Sequence, residues 1–401
     1  MQSWKRTLNA AFFAQICSIT GFTFVLPFLP LYVRELGVAD EAQSRVWAGI
    51  AFAAGALTMA VFSPIWGALA DRYGRKPMVL RAMLGGALVL TLMSFCQNAS
   101  QLVACRLLQG ALTGTVTASV ALVAGVVPRH RAGQAMGMMQ AAVFVGAAFG
   151  PFMGGLLADA LGYRATFRAA ALVLLAGVVV TKVFVRERFV PSGTADGAPH
   201  GTFGQVFAAV GFLTAVFIVF ALRFANAAAG PVFPDLVKEV SGDTERINTT
   251  IGLLISAGNL MAAGSAWLFG RFSDLWGHKR LLIALSLFAS LTASLYLVAG
   301  RVAHLFGLRL LFGVGVGGMR PLANAIIRGV THDSNIGKAY GVTSSASAIG
   351  MFAGPLMGGY LSASVSLRAP FVVMAVSLAL GAALVAWRVK PIEPAEEPAS
   401  D

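Results

Sequence analysis

Residues 67–76 read GALADRYGRK, and residues 270–279 read GRFSDLWGHK. Both stretches place a glycine, an acid, a second glycine and a lysine at the same spacing. The first follows the apolar run Ile50–Pro64, and the second precedes the apolar run Leu281–Ala299. Crossing roughly 30 Å of hydrocarbon takes about 20 apolar residues, so a polar, turn-forming decapeptide beside such a run marks the edge of a membrane. The offset between the two stretches is 203 residues, and other landmarks share it. Arg106 in RLLQG recurs as Arg309 in RLLFG at 203. Pro27 and Pro30 recur as Pro231 and Pro234, and Gly150-Pro151 as Gly354-Pro355, at 204. One repeat length carried by unrelated residue types is the signature of an internally duplicated chain.

Composition agrees. Hydrophobic residues make up 57% of the 401 residues and charged residues 12%, where a soluble domain carries about 25% charged residues. Further apolar runs lie at Ala165–Thr181 and Phe371–Trp387. The pattern predicts spans near 8–33, 46–69, 78–97, 101–126, 134–159, 165–185, 205–237, 248–272, 280–299, 302–329, 338–362 and 367–388. Backbone groups in lipid must be satisfied within the segment, so these are expected to be helices. Period-2 alternation is missing, which argues against a β-barrel. The expected fold is an all-α polytopic membrane protein with 12 transmembrane helices in two six-helix bundles. An even number of spans per repeat relates the bundles by a pseudo-twofold axis along the membrane normal. The first half covers 1–186 and the second 205–389. Between them 187–204, rich in Pro, Gly and charge, reads as a linker. The Pro- and Glu-rich segment 390–401 reads as a disordered tail.

A net charge of +13 suggests nucleic acid, but the basic residues sit in short loops between apolar runs. Lys5, Arg6, Arg72, Arg75, Lys76, Arg129, Arg131, Lys279 and Arg280 fall on the side of the N-terminus. Excess Lys and Arg marks the cytoplasmic face, so both termini are expected there. The first apolar run is too long for a cleavable signal peptide. Cys17, Cys96 and Cys105 lie in or beside apolar segments and are assigned to packing rather than to a disulfide framework. A nucleotide-binding P-loop, an HExxH pair and a GxSxG elbow are missing. The expectation is a carrier rather than an ATP-driven pump or hydrolase, with no cofactor and no metal.

Within 67–76, Gly67 allows close helix approach and Gly74 a tight turn. Asp71 can accept from backbone amides at a helix end, and Arg75 can pair with a carboxylate. The fifth expected span carries Gly137, Gly146, Gly150, Pro151, Gly154 and Gly155, and the eleventh repeats them as Gly341, Gly350, Gly354, Pro355, Gly358 and Gly359. Small residues let backbones pack closely, and the proline bends the helix. The first span contains Gly21, Pro27 and Pro30. The decapeptide resembles the signature loop of the major facilitator superfamily at every key position. The glycine pattern resembles the motif of its exporter (antiporter) branch. The first span resembles twelve-span drug:proton antiporters, and the whole chain outside linker and tail is most similar to MdtG-type bacterial multidrug exporters. The resemblance implies a gating latch of Gly67, Asp71, Arg72, Gly74 and Arg75, with Asp274 as its repeat. It implies a sealing and hinge role for the glycine motif, a proton-coupling role for Arg106, and a bacterial inner-membrane location. One departure stands out: the family pairs Arg75 with an acid at the end of the fourth span, which here reads VAGVVP from Val123 to Pro128.

Charges inside a membrane are costly and normally face a partner or a cavity. Arg106, Arg223, Arg309 and Arg320 fall within expected spans. All 17 acids fall in loops, span ends or the tail, the deepest being Glu35, Asp159 and Asp235. Arginine does not deprotonate in the useful range. Arg106 can therefore tune a neighbour, while the proton is left to Asp235 or Glu35, to a gating acid, or to the substrate itself. Arg309 either shares the role of Arg106 or is structural. A cavity with arginines and no carboxylate favours neutral or anionic amphiphiles over cations. Its candidate wall comprises Gln15, Thr23, Phe24, Gln140, Phe144, Arg223, Asn226, Asn259, Arg320 and Asn324, with helix packing the competing role for each. The expected partners are small-molecule substrates, protons and the lipid bilayer, with the chain a monomer. A metabolite or organic-anion transporter of the same fold is the alternative, and a membrane sensor without flux a further one.

Overall fold

The structure is a computed structural model that describes residues 3–187, 210–242, 245–331 and 336–389. The expected linker (187–204, apart from Glu187), the first residues of the second half (205–209) and the tail (390–401) lie outside the described residues. The elements in chain order are α1 (Ser3–Val25), α2 (Leu29–Glu35), α3 (Glu41–Tyr73), α4 (Arg75–Met93), α5 (Ala99–Leu112), α6 (Thr115–Val126) and α7 (Ala132–Phe184). They continue as α8 (Val210–Ala228), α9 (Phe233–Ser241), α10 (Ile247–Trp276), α11 (His278–Leu295), α12 (Val302–Val330), α13 (Ile336–Ser364) and α14 (Ala369–Arg388). The described residues contain no strand.

Local chemistry explains the boundaries. Asp40 caps α3 by accepting from the Gln43 amide at 2.9 Å, and Asn98 caps α5 by accepting from the Gln101 amide at 2.9 Å. The helix reverses into α4 at Gly74, with φ 97°, and α10 reverses into α11 at Gly277, with φ 80°. Glycine adopts that left-handed backbone without penalty, so both halves of the repeat turn at the same place. One repeated pair of prolines breaks the helices that carry it. Pro27 sits in a short 3₁₀ turn, Leu26–Phe28, between α1 and α2. Pro231 lies between α8 and α9, which bend by 44°. Proline lacks the amide that would continue the ladder. The 53-residue α7, about 80 Å long at 1.5 Å per residue, exceeds a bilayer and turns at Gly162, φ 78°.

Nine helices among the described residues are long and apolar enough to cross a membrane, or ten if α8 and α9 form one bent span. Leu275, Val298 and Trp387 are each more than 70% exposed, a cost in water and a match to lipid. The second half buries one continuous core, which also takes in Phe28 and Leu31 from the first half. The buried core of the first half divides into three clusters. The halves also differ in the helices bearing the repeated arginines: α5 and α6 break at Gly114, φ 120°, while α12 runs through the equivalent Gly317 without a break.

Candidate functional site

The glycine motif makes two kinds of contact, and both repeat. On one face it packs α7 against α1. An added Cβ would lie 3.1 Å from the Ile16 carbonyl oxygen at Gly146, 3.0 Å from that of Thr20 at Gly150, and 2.7 Å from the Phe24 carbonyl carbon at Gly154. In the second half, Gly350, Gly354 and Gly358 meet the backbone of Phe220, Phe224 and Ala228 on α8, at 2.8, 2.6 and 2.9 Å. Each partner is displaced by the 204 residues of the repeat. The other face joins the halves. Gly155 abuts Asn248 and Thr249 on α10, while Gly359 abuts Arg45 and Val46 on α3. Gly252 abuts Pro151, and Gly49 abuts Pro355. Gly137 meets nothing within 4 Å.

Around these crossings lies the polar joint between the halves. Asp159 accepts from the Asn248 amide at 3.1 Å and its Nδ2 at 2.8 Å, and from the Thr249 amide at 2.7 Å and its Oγ1 at 2.6 Å. Tyr163 donates to Asn248 Oδ1 at 3.0 Å. Ser256 Oγ accepts from the Phe152 amide, and Asn259 donates to the Ala147 carbonyl at 2.7 Å. On the related crossing, buried Asp235 forms an ion pair with Arg34 at 2.7 Å and accepts from Arg45 at 3.1 Å. Arg45 also donates to the Ser362 carbonyl at 3.3 Å, and Glu41 pairs with Arg34 at 3.2 Å. A cleft of about 280 Å³ lined by Arg34, Glu41, Asp235, Lys238, Glu239, Gly242 and Leu367 leads to Asp235. Glu35 pairs with Arg164 at 3.6 Å inside the first half, and Glu239 with Arg368 at 2.8 Å inside the second. These pairs are related by the repeat.

At the decapeptide end, Asp71 and Arg72 are exposed, and Arg72 stacks on Tyr73. Gly67 meets nothing within 4 Å, so the close approach expected there is not made in this conformation. Arg75 donates to the Ala121 carbonyl at 2.8 Å and lies in a gap left by Gly125. That carbonyl, in the last turns of α6, stands where the family's acid was expected. Glu187 accepts from the amides of Arg75 at 2.9 Å and Lys76 at 2.7 Å, which caps α4 and was not foreseen. The Asp274 side chain lies outside the described residues. The contacts just described between the halves run from mid-helix to the opposite end, while Gly67, Gly137, Gly270 and Gly341, on the side of the decapeptides, meet nothing within 4 Å.

Between the ends, Arg106 donates to the Ala51 carbonyl at 3.1 Å and to Gln109, and its guanidinium lies against Gly55. Arg309 repeats the placement against Gly258 and lies over the Phe233 ring at 4.8 Å. Arg223 is half-buried and Arg320 is exposed. Gln140 is exposed, Phe144 and Asn324 are half-buried, and exposed Asn226 donates to its own helix at Leu222. The other candidates sit in contacts. Thr23 donates to the Ile19 and Gly146 carbonyls between α1 and α7. Phe24 is 4% exposed in the first-half core, a packing position rather than a cavity wall. Asn259 joins the halves, and Gln15 is fully buried. Arg81, missed among the membrane arginines, stacks on Trp66 at 3.4 Å.

The family profile of the Major Facilitator Superfamily matches residues 11–222 and 215–401. The chain is 34% identical over 391 residues to the multidrug resistance protein MdtG of Rahnella sp., covering 96% of this chain and 94% of that protein. It is 31% identical over 373 residues to the multi-drug resistance efflux pump PmrA of Streptococcus pneumoniae, covering 92% of each. Among solved structures it resembles the human organic anion transporter MFSD10 (TETRAN), with TM-score 0.68 at 18% identity over 96% of this chain and 100% of that one. It also resembles a bacterial homologue of the lysosomal transporter Spinster, inward-facing and unoccupied, with TM-score 0.72 at 12% identity over 96% of this chain and 95% of that one. With both halves of the chain matched by one family and relatives aligned along nearly its whole length, the chain belongs to the major facilitator superfamily.

Proposed function

We propose that this chain is a secondary active multidrug exporter that works by alternating access, moving neutral or anionic amphiphiles out of the cytoplasm in exchange for protons. The observation that carries the reading is the one-sided joint: the halves meet through repeated glycine crossings at one end and part at the other. The relatives named for multidrug resistance and efflux supply the direction. We count twelve spans, taking α7 as two that meet at Gly162, α1 with α2, α5 with α6 and α8 with α9 as one each, and α13 as one. In this reading the basic decapeptides lie in the cytoplasm, as do both termini, and the side on which the halves part is the inward one. The loop of Gly67, Asp71, Arg72, Gly74 and Arg75 engages when the cytoplasmic side closes. Asp274 is its counterpart in the second half.

Asp235 is the proton carrier in this scheme. It is 4% exposed, joins the halves, and is reached through a cleft on the outer side. Glu35 belongs instead to a repeated rim pair inside one half. Arg106 holds its helix to α3 and tunes the interior field. Arg223 and Arg320 place positive charge in the pathway, since two arginines at this depth must face water or an anion rather than lipid. Purified protein in liposomes with an imposed pH gradient tests the scheme. Anionic amphiphiles are expected to accumulate and Asp235→Asn to abolish that accumulation. Efficient transport of cationic dyes with none of anionic compounds defeats the substrate assignment, and unchanged coupling in Asp235→Asn removes Asp235. The same arginine pair favours one second reading, exchange of organic anions, which predicts flux driven by anion on the far side and indifferent to pH.

A further inference from the structure

The joint between the halves contains an acid to which the scheme above gives no role. Asp159 lies just beyond Gly155 on α7. Both of its carboxylate oxygens are used, and all four donors belong to two consecutive residues of the other half. Those residues, Asn248 and Thr249, stand in the first turn of α10, which begins at Ile247. Amides in a first turn have no partner within their helix, and the local N-cap, Arg246, makes no side-chain cap. The carboxylate of one half therefore caps a 30-residue helix of the other. An acid at that place also meets the positive end of the helix dipole. Charge-assisted bonds of this kind are about twice as strong as neutral ones. Tyr163 fixes the Asn248 amide from the side of Asp159.

The twofold-related crossing has no such acid. The repeat carries Asp159 to Ala363 and Thr249 to Arg45. The donor again stands at the start of the facing helix: Arg45 of the first half reaches the Ser362 carbonyl and Asp235 of the second. Two clasps of the same polarity but different chemistry thus occupy equivalent positions on one rim. The ionic clasp contains the acid assigned to the proton. The other is dipolar: its donors are two backbone amides, the Asn248 side-chain amide and the Thr249 hydroxyl, none of which changes charge in the useful pH range.

We propose that Asp159 is a gating residue of the outer side: it holds the halves together by capping α10 and must release that cap each time the carrier opens outward. It touches neither proton nor substrate. It sets the ratio of inward-open to outward-open carrier. This inference rests on the transport reading but is tested without transport.

The test uses full-length protein with its three cysteines replaced and nitroxide labels read by pulsed electron resonance. One pair, Leu161→Cys with Glu245→Cys, spans the outer rim at this clasp. A second, Tyr73→Cys with Trp276→Cys, spans the opposite end. Asp159→Ala is expected to raise the long-distance outer population at least about tenfold, the scale of losing one or more charged hydrogen bonds, while the inner pair shortens. Asp159→Asn, which keeps shape and loses charge, gives a smaller shift of the same sign. The double variant Asn248→Ala with Thr249→Val leaves the acid intact, shifts the same way, and decides the matter if Asp159→Ala is not recovered folded. An outer distribution unchanged from the parent in the recovered variants overturns the proposal. Wild-type liposomes without flux, in protein whose distances respond as expected, defeat the exporter reading and leave the gate standing.

Discussion

Arg75 shows what a single residue keeps from a family pattern and what it replaces. A guanidinium needs acceptors in its own plane, and the family's acid is missing from the end of α6. The Ala121 carbonyl serves instead, near the negative end of the α6 dipole, and the missing side chain at Gly125 makes room. A Cβ there would lie 2.6 Å from Arg75 Nη1. Gly125→Val is therefore expected to push the Arg75 guanidinium off the Ala121 carbonyl and to cost about 1–3 kcal/mol, the scale of one charged hydrogen bond, read as a lower unfolding temperature. Arg75→Gln removes the same contact, so the double variant should fall short of the sum of the two. Full additivity in that cycle contradicts the contact. The decapeptide itself was legible, down to the turn at Gly74. The carbonyl acceptor and the Glu187 cap were not, because both come from residues distant in the chain whose own neighbourhoods carry no mark of the role.

At the scale of elements, the repeat explains which glycines matter. Gly154 and Gly358 face the carbonyls of Phe24 and Ala228 at equivalent places, and a helix backbone yields little to an added methyl. Gly154→Val and Gly358→Val should each lower stability by about 1–3 kcal/mol, measured by thermal unfolding in detergent. Gly67→Ala should hold or slightly raise the unfolding temperature, because nothing lies within 4 Å of its added Cβ and alanine favours the helix by about 0.5–1 kcal/mol. If the Gly67 helix face closes in the other state of the cycle, Gly67→Ala slows flux without loss of stability, and normal flux excludes that contact. The motif glycines were readable because their spacing follows a helix face and recurs at the repeat. The break between α5 and α6 was not, since Gly114 is one of 45 glycines, and what singles it out is a φ of 120° set by packing. Thr23 and Phe24 were read as pathway residues for a related reason. The motif they serve was visible, but the helix that receives it was not.

For the whole molecule, the charges on the closed rim divide into those that bind one half to itself and those that bind the halves together, and magnitude separates the two. Arg164 and Glu35 are 44% and 42% exposed at 3.6 Å, a solvated pair worth about 0–1 kcal/mol. Arg45 and Asp235 are 11% and 3% exposed at 3.1 Å. Removing one partner of a buried pair leaves an uncompensated charge and costs about 3–5 kcal/mol. The second arginine, Arg34, stays on Asp235 at 2.7 Å and reduces that cost. The cost falls on the closed state alone, since outward opening admits water to Asp235. Arg45→Gln should therefore move the carrier toward the outward-open form, and Arg34→Gln combined with it should move it further. Arg164→Gln, on the same rim but within one half, should leave the outer-rim distances between labels at positions 161 and 245 as they are. Equal responses to Arg45→Gln and Arg164→Gln mean that the rim responds to net charge rather than to this clasp. The duplication of the chain followed from its repeated landmarks. The polar contacts of the joint between the halves did not, because they depend on the places where the repeats differ: Asp159 against Ala363, Arg45 against Thr249, and the unmatched Asp235.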